Sequence, residues 1–205
     1  MCPHAIPSLP ERPAGADSSG ANALPAAWAA HGVVHWNTAL ELLSGSTGTA
    51  FGLTRAQAAV VLRYMHPFAI AEGVEFIQEG DVGHCDFMAL VIDGDVTVET
   101  ISVSRTAPMT VTVLGPGSIH GELSLLDGAP RSASCTACTP VLCAILTREG
   151  LGRLLQDHPA VCARFTMMLA TRIGERLRDN TDKLKRYAMM ARAMHEEIER
   201  LLPEH

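Results

Sequence analysis

The 205-residue chain is predicted to be mainly β with helices: a sandwich or jelly roll, flanked by helices and followed by one long C-terminal helix. Three observations predict this. Short apolar and alternating runs recur between residues 74 and 146, broken by Gly, Pro and Asp turn signals about every eight to twelve residues. Helix-capping threonines stand on either side of that region, Thr54 before it and Thr147 after it. From Pro159 to Leu202 there is no further proline and one glycine, Gly174.

Composition narrows the function classes. A net charge of −6 argues against non-specific nucleic-acid binding, which needs a basic footprint. Hydrophobic residues make up 47% of the chain and aromatics only 4%, so the core must be mostly aliphatic. No apolar stretch reaches the length of about 18 residues that a membrane span requires, and no charged-then-apolar leader opens the chain. Six irregularly spaced cysteines do not form a disulfide framework, so reduced thiols and a cytoplasmic location are expected.

Taken in order, residues 1–25 are rich in Pro, Ala, Ser and Gly and read as a disordered tail. Residues 26–53 form a helical and linker segment: Trp28, Val33, Val34, Trp36, Leu40, Leu42 and Leu43 read as partly helical and packed, and residues 44–49 as a linker. Thr54 caps a helix expected over Arg55 to Met65, with Ala59, Val60, Leu62 and Met65 on its apolar face. Strands follow at residues 74–77, 87–92, 96–100 and 110–114. Asp93-Gly94 between two such runs predicts a hairpin joining residues 87–92 to 96–100. Two more strands are read at residues 132–136 and 141–146. Thr147 caps a helix over Arg148 to Gln156, and Pro159 suits the first turn of the next.

That last helix would run roughly 65 Å at 1.5 Å per residue. Its apolar positions keep a heptad register: Ala170, Leu177, Leu184, Ala191 and Ile198 in one row, Ile173, Asn180, Tyr187, Met194 and Leu201 in the other. A seam over more than four heptads outreaches a small β domain, which points to a homodimer paired through this helix. Asn180 is the polar break in the seam.

The chemistry concentrates at Gly121-Glu122-Leu123-Ser124-Leu125-Leu126-Asp127-Gly128-Ala129-Pro130-Arg131-Ser132-Ala133. The apolar Leu-Ser-Leu-Leu fits one or two helical turns, whose N-terminus would point N–H groups at an anion. Gly121 lets the backbone approach a ligand, and Arg131 could supply a two-pronged donor to the same anion. Glu122 accepts rather than donates, so it suggests a ligand carrying hydroxyls as well as phosphate.

Gly121-Glu122-Leu123 with Arg131-Ser132-Ala133 ten residues on resembles the phosphate-binding cassette of cyclic-nucleotide-binding domains. Phe76-Ile77-Gln78-Glu79-Gly80-Asp81 and the strand–glycine–strand element from Leu90 to Val98 resemble the same family, over roughly residues 54 to 187. The resemblance implies a β-roll (a double-stranded jelly roll) at residues 54–158 and a coiled-coil dimer helix at 159–202. It implies cAMP or cGMP as ligand, with backbone N–H groups at Gly121 and Leu123, Arg131 and the Ser132 hydroxyl on the phosphate, and Glu122 on the ribose hydroxyl. Arg176-Leu177-x-x-Asn180-Thr181 resembles the part of the activator-type dimer helix that reaches the base, which places Asn180 and Thr181 there, one of them from the partner subunit. His120 departs from the pattern, which has an aromatic or aliphatic residue before Gly-Glu, and is expected at a solvent-facing or edge position.

The residues after Tyr187 continue the helix and cannot build a helix-turn-helix, so neither DNA binding nor an output domain of the chain's own is expected. An unidentified protein partner would receive the signal. No nucleophile–base pair or kinase loop is read, and Glu122 with His120 is better explained by the ribose than as an acid–base pair, so no catalysis is expected. Met1-Cys2-Pro3-His4 and Cys135-x-x-Cys138 with Cys143 have no matching second half-site, so no metal is expected. Two other readings stay open: a β-roll scaffold that has lost its ligand, and a haem or redox sensor of the same fold.

Overall fold

The computed structural model describes residues 25–45, 51–83, 86–101 and 108–201. The expected tail, most of the 44–49 linker, Cys2 and Cys85 lie outside the described residues.

A 3-10 turn at Ala26–Trp28 leads into helix α1 (Gly32–Ser44), and α2 follows at Arg55–Leu62. Thr54 caps α2 in a reciprocal box: its hydroxyl accepts from the Gln57 N–H, and the Gln57 side chain accepts from the Thr54 N–H. The helix stops short of the expected Met65 because His66-Pro67 opens a strand, and the residue before a proline disfavours helical backbone.

Eight strands follow: β1 (His66–Ile70), β2 (Glu75–Ile77), β3 (Phe87–Asp93), β4 (Val96–Ile101), β5 (Pro108–Leu114), β6 (Ile119–His120), β7 (Ser134–Ala137) and β8 (Val141–Thr147). The six-residue α3 (Glu122–Asp127) lies between β6 and β7, and α4 (Arg148–Asp157) and α5 (Pro159–Leu201) close the chain. The strands form two antiparallel four-stranded sheets, in the orders β1-β8-β3-β6 and β2-β7-β4-β5. The expected jelly roll flanked by helices is thus the fold, with the two sheets left unclosed. Sequence reading missed β1 and β6, both without a clear alternating run.

One expectation is corrected. Asp93-Gly94 does not make a hairpin: β3 pairs with β6 and β8, whereas β4 pairs with β5 and β7 in the other sheet. The turn carries the chain from sheet to sheet. It is pinned to a second crossing turn, with the Asp95 N–H donating to Thr139 Oγ1 at 3.0 Å and the Cys138 N–H to the Asp95 carbonyl at 2.8 Å. Local turn chemistry signals a reversal but not which strands pair after it.

Side-chain alternation divides β3 and β8 between two cores. Phe87, Ala89 and Val91 of β3, with Val141, Cys143 and Ile145 of β8, point between the sheets and meet Phe76, Ile77, Val96, Cys135 and Ala137. Met88, Leu90 and Ile92, with Leu142, Ala144 and Leu146, point outward into a second core made by the helices. This is why both strands read as unbroken apolar runs rather than alternating ones. The outer core takes in Trp28, Trp36, Leu40 and Leu43 from the N-terminal segment, Val61 and Leu62 from α2, Leu154 from α4, and Phe165, Met168 and Leu169 from α5. The first turns of α5 are therefore fixed against the β-roll. From Glu175 to Ile198 its residues are exposed, including Leu177, Leu184, Tyr187, Met190 and Met194.

Candidate functional site

Gly121 ends β6 and starts α3 with φ of 78°, a left-handed value that favours glycine. A Cβ there would run into Arg131 Nη1 and lie 2.9 Å from the Phe87 carbonyl oxygen. The glycine is therefore required by the arginine packed against it, as well as by any ligand. Arg131 is 3% exposed. Its Nη1 donates to the carbonyls of Phe87 (2.9 Å) and Gly121 (3.0 Å), and its guanidinium carbon sits 4.4 Å from the centre of the Phe87 ring. A guanidinium this deep, held flat by carbonyls and an aromatic face, favours an anion beside it.

Glu122, the first residue of α3, is 4% exposed. Its Oε1 accepts from Arg176 Nη1 of α5 at 2.8 Å. Nη2 of the same arginine donates to the Ile119 carbonyl at 3.0 Å, and one turn earlier Arg172 Nη1 donates to the Gly117 carbonyl at 3.1 Å. Two arginines of α5 thus hold the segment that leads into α3. His120, expected at a solvent-facing or edge position, lies on an edge strand but is buried, and its Nε2 lies 3.0 Å from Ser118 Oγ. Burial, assisted by the Arg176 charge, pushes its pKa down to about 4, so the ring is neutral at ordinary pH.

These groups surround one cleft of about 50 Å3, lined by Ile77, Val98, His120, Gly121, Glu122, Leu123, Ser124, Arg131, Ser132, Ala133, Cys135 and Arg176. Five of the seven residues expected at the site, Gly121, Glu122, Leu123, Arg131 and Ser132, line it together. Asn180 and Thr181 do not: both are exposed on α5, and the Thr181 hydroxyl donates back to the Leu177 carbonyl at 2.8 Å. His120 and Arg176 are the lining residues whose roles the sequence reading missed. The only available signal was the spacing of Arg172 and Arg176, one turn apart on a face that then continues to Asn180.

The cysteines fall as strand geometry requires. Cys135 and Cys143 are buried between the sheets and Cys138 is exposed just past β7. Burial pushes the Cys135 and Cys143 thiols up to about 12, so they are protonated and inert. Among the described residues, no group of three or more His, Cys, Asp or Glu is placed to hold a metal ion. No helix among them is long and apolar enough to cross a membrane.

Residues 68–158 match the family model of the cyclic nucleotide-binding domain. This segment belongs to that family. A CRP-like cAMP-activated global transcriptional regulator of Mycobacterium tuberculosis is 28% identical over 138 residues, 65% of this chain and 58% of the relative. The cyclic AMP receptor protein of Thermus thermophilus is 31% identical over 124 residues, 60% of this chain and 56% of the relative. The chain therefore spans less than two-thirds of the length of these relatives. Among solved structures, a cyclic nucleotide-binding domain from Methylobacillus flagellatus superimposes with a TM-score of 0.67 at 27% identity, over 75% of this chain and 84% of that one.

Proposed function

We propose that the chain is a cytoplasmic cyclic-nucleotide sensor, non-enzymatic, that binds cAMP or cGMP in the cleft between β6, α3 and β7. The observation that carries this reading is the convergence of a buried arginine and a buried glutamate, Arg131 and Glu122, on one cleft. The cyclic phosphate would sit at Gly121 and Leu123 N–H groups, Arg131 and the Ser132 hydroxyl, and the ribose hydroxyl would sit on Glu122. Names of the relatives favour cAMP over cGMP.

The cleft, at about 50 Å3, is small beside the roughly 300–1,000 Å3 of small-molecule pockets. A nucleotide enters only if a wall yields. The wall supplied from outside the β-roll is Arg176, whose side chain is 47% exposed and reaches in to Glu122. Ligand and helix therefore compete for, or share, the same carboxylate, and occupancy is passed to α5. The exposed apolar strip of α5, from Leu177 to Ile198, is proposed to pair with a second copy of the chain, which would bring Asn180 and Thr181 to the base. The change in this helix is the output, read by a partner protein. Calorimetric titration with cAMP, cGMP and a cyclic dinucleotide tests the reading. Saturable binding of one of the two mononucleotides, weakened ten-fold or more in Arg131→Lys, supports it. No heat with either mononucleotide refutes it.

A further inference from the structure

We infer that His120 reads the ligand: its Nδ1 is a bare hydrogen-bond acceptor that takes an N–H or O–H donor of the bound nucleotide. The ligand half of this statement rests on the function proposed above, whereas the state of the ring does not.

The tautomer follows from counting protons. A serine hydroxyl has one proton to give. That of Ser118 goes to the Gly115 carbonyl, at 2.7 Å. At its 3.0 Å contact with His120, Ser118 Oγ can then only accept, so Nε2 carries the ring proton. The ring sits in a buried position beside the cationic Arg176 and is neutral, which leaves Nδ1 with a lone pair and no hydrogen. No bond to Nδ1 is formed among the described residues. Nor is this atom sealed away: the sealed and unbonded side-chain polar atoms of the described residues are Trp28 Nε1 and Arg153 Nε. His120 is a wall of the cleft, so its ring borders the space the ligand would fill.

Such an acceptor differs from Glu122 in one useful respect. A second carboxylate here would repel the phosphate bound at Arg131, whereas a neutral imidazole accepts a hydrogen bond without adding negative charge. A nucleotide cyclised through its 3′ and 5′ oxygens keeps one ribose hydroxyl, whose single proton goes either to Glu122 or to Nδ1, and the N–H groups of its base; either source is a donor of the required kind. A ligand that displaces water from Nδ1 without offering a donor strands a buried acceptor and binds about ten-fold or more weakly.

The experiment combines two readouts on the full chain. Side-chain 15N NMR of the free protein reads the tautomer directly. Calorimetry then compares the parent, His120→Phe and His120→Asn against cAMP, its 2′-deoxy analogue and cyclic purine-riboside monophosphate, which lacks the exocyclic amine. The expected result is a pyridine-type Nδ1 signal that moves when cAMP is added. His120→Phe should weaken cAMP about ten-fold, and His120→Asn, which keeps a polar atom near the Nδ1 position, by less. The deficit should vanish for one analogue: for the 2′-deoxy ligand if the donor is the ribose hydroxyl, for the des-amino ligand if it is the base. A protonated Nδ1 in the free chain overturns the inference, as does unchanged cAMP affinity in His120→Phe. An equal loss for all three ligands also overturns it, since that marks packing alone. A parent chain that binds none of the three, nor cGMP, removes the proposed function and the ligand role together, while the tautomer signal is still read by itself.

Discussion

Arg176 and Glu122 are 54 residues apart in sequence and 2.8 Å apart in space. One stands on the long helix α5 and the other opens α3, in the middle of the candidate phosphate cassette. The carboxylate is almost fully buried while the arginine is half exposed, so the pair is a bridge from the cleft to a surface helix. A ligand can act on that helix only through unequal affinity for the states with the bridge made and broken.

Arg131 has two duties. It holds the carbonyls of Phe87 and Gly121 as well as facing the cleft. Arg131→Ala should therefore lower the melting temperature as well as nucleotide affinity: the Gly121 carbonyl keeps the Leu125 N–H, but the Phe87 carbonyl loses the guanidinium donor, and a buried acceptor left unpaired costs about 1–3 kcal/mol. Arg131→Lys should recover part of the stability and little of the affinity, since a point charge cannot reproduce the planar fork. Gly121→Ala should be worse than either for folding, as φ of 78° and the contact with Arg131 both oppose a Cβ. Thermal melts with and without nucleotide separate the two duties.

His120 gives a pH dependence with a definite sign. Its pKa falls from 6.5 to about 4 on folding. Between those values the unfolded chain binds a proton that the folded chain refuses, so stability is fully present above pH 6.5 and is lost as pH falls toward 4. The loss from this one group is on the order of 3 kcal/mol. Urea melts of the parent and of His120→Phe across this window should show the extra slope in the parent only. Parallel slopes would place the imidazole in water.

Leu184 tests the proposed dimer. It is 68% exposed in the single chain, so Leu184→Glu should leave the fold of the β-roll intact. If α5 pairs with a second copy, the charge lands in an apolar seam without a partner and the dimer splits. Nucleotide affinity should fall with it if Asn180 and Thr181 reach the base only across the dimer. Sedimentation velocity with and without nucleotide reads both effects. A monomeric variant with parental affinity would remove Asn180 and Thr181 from the site.

Much of this was legible in the sequence because the cues were local. Thr54 and Thr147 cap helices through contacts three residues away, and the cassette from Gly121 to Ser132 lies within one short stretch of chain. The failures were non-local. Asp93-Gly94 signals a turn, but which strands pair after it is decided by partners such as Thr139 in a distant loop. His120 is buried, and Arg176, whose charge acts on it, stands more than fifty residues later, so no window around it shows its environment. The Arg176 contact with Glu122 is invisible for the same reason.

Amide hydrogen exchange of the parent and of Arg176→Gln, each with and without saturating cAMP, tests the bridge between cleft and helix most directly. In the parent, cAMP is expected to slow exchange at residues 121–125 and to change it along α5 from Arg172 to Thr181. In Arg176→Gln the cassette amides should still be protected while the response of α5 is lost. Unchanged exchange at residues 121–125 in parent chain that has bound cAMP would contradict the placement of the ligand. An α5 response that survives in Arg176→Gln would contradict the role of the bridge.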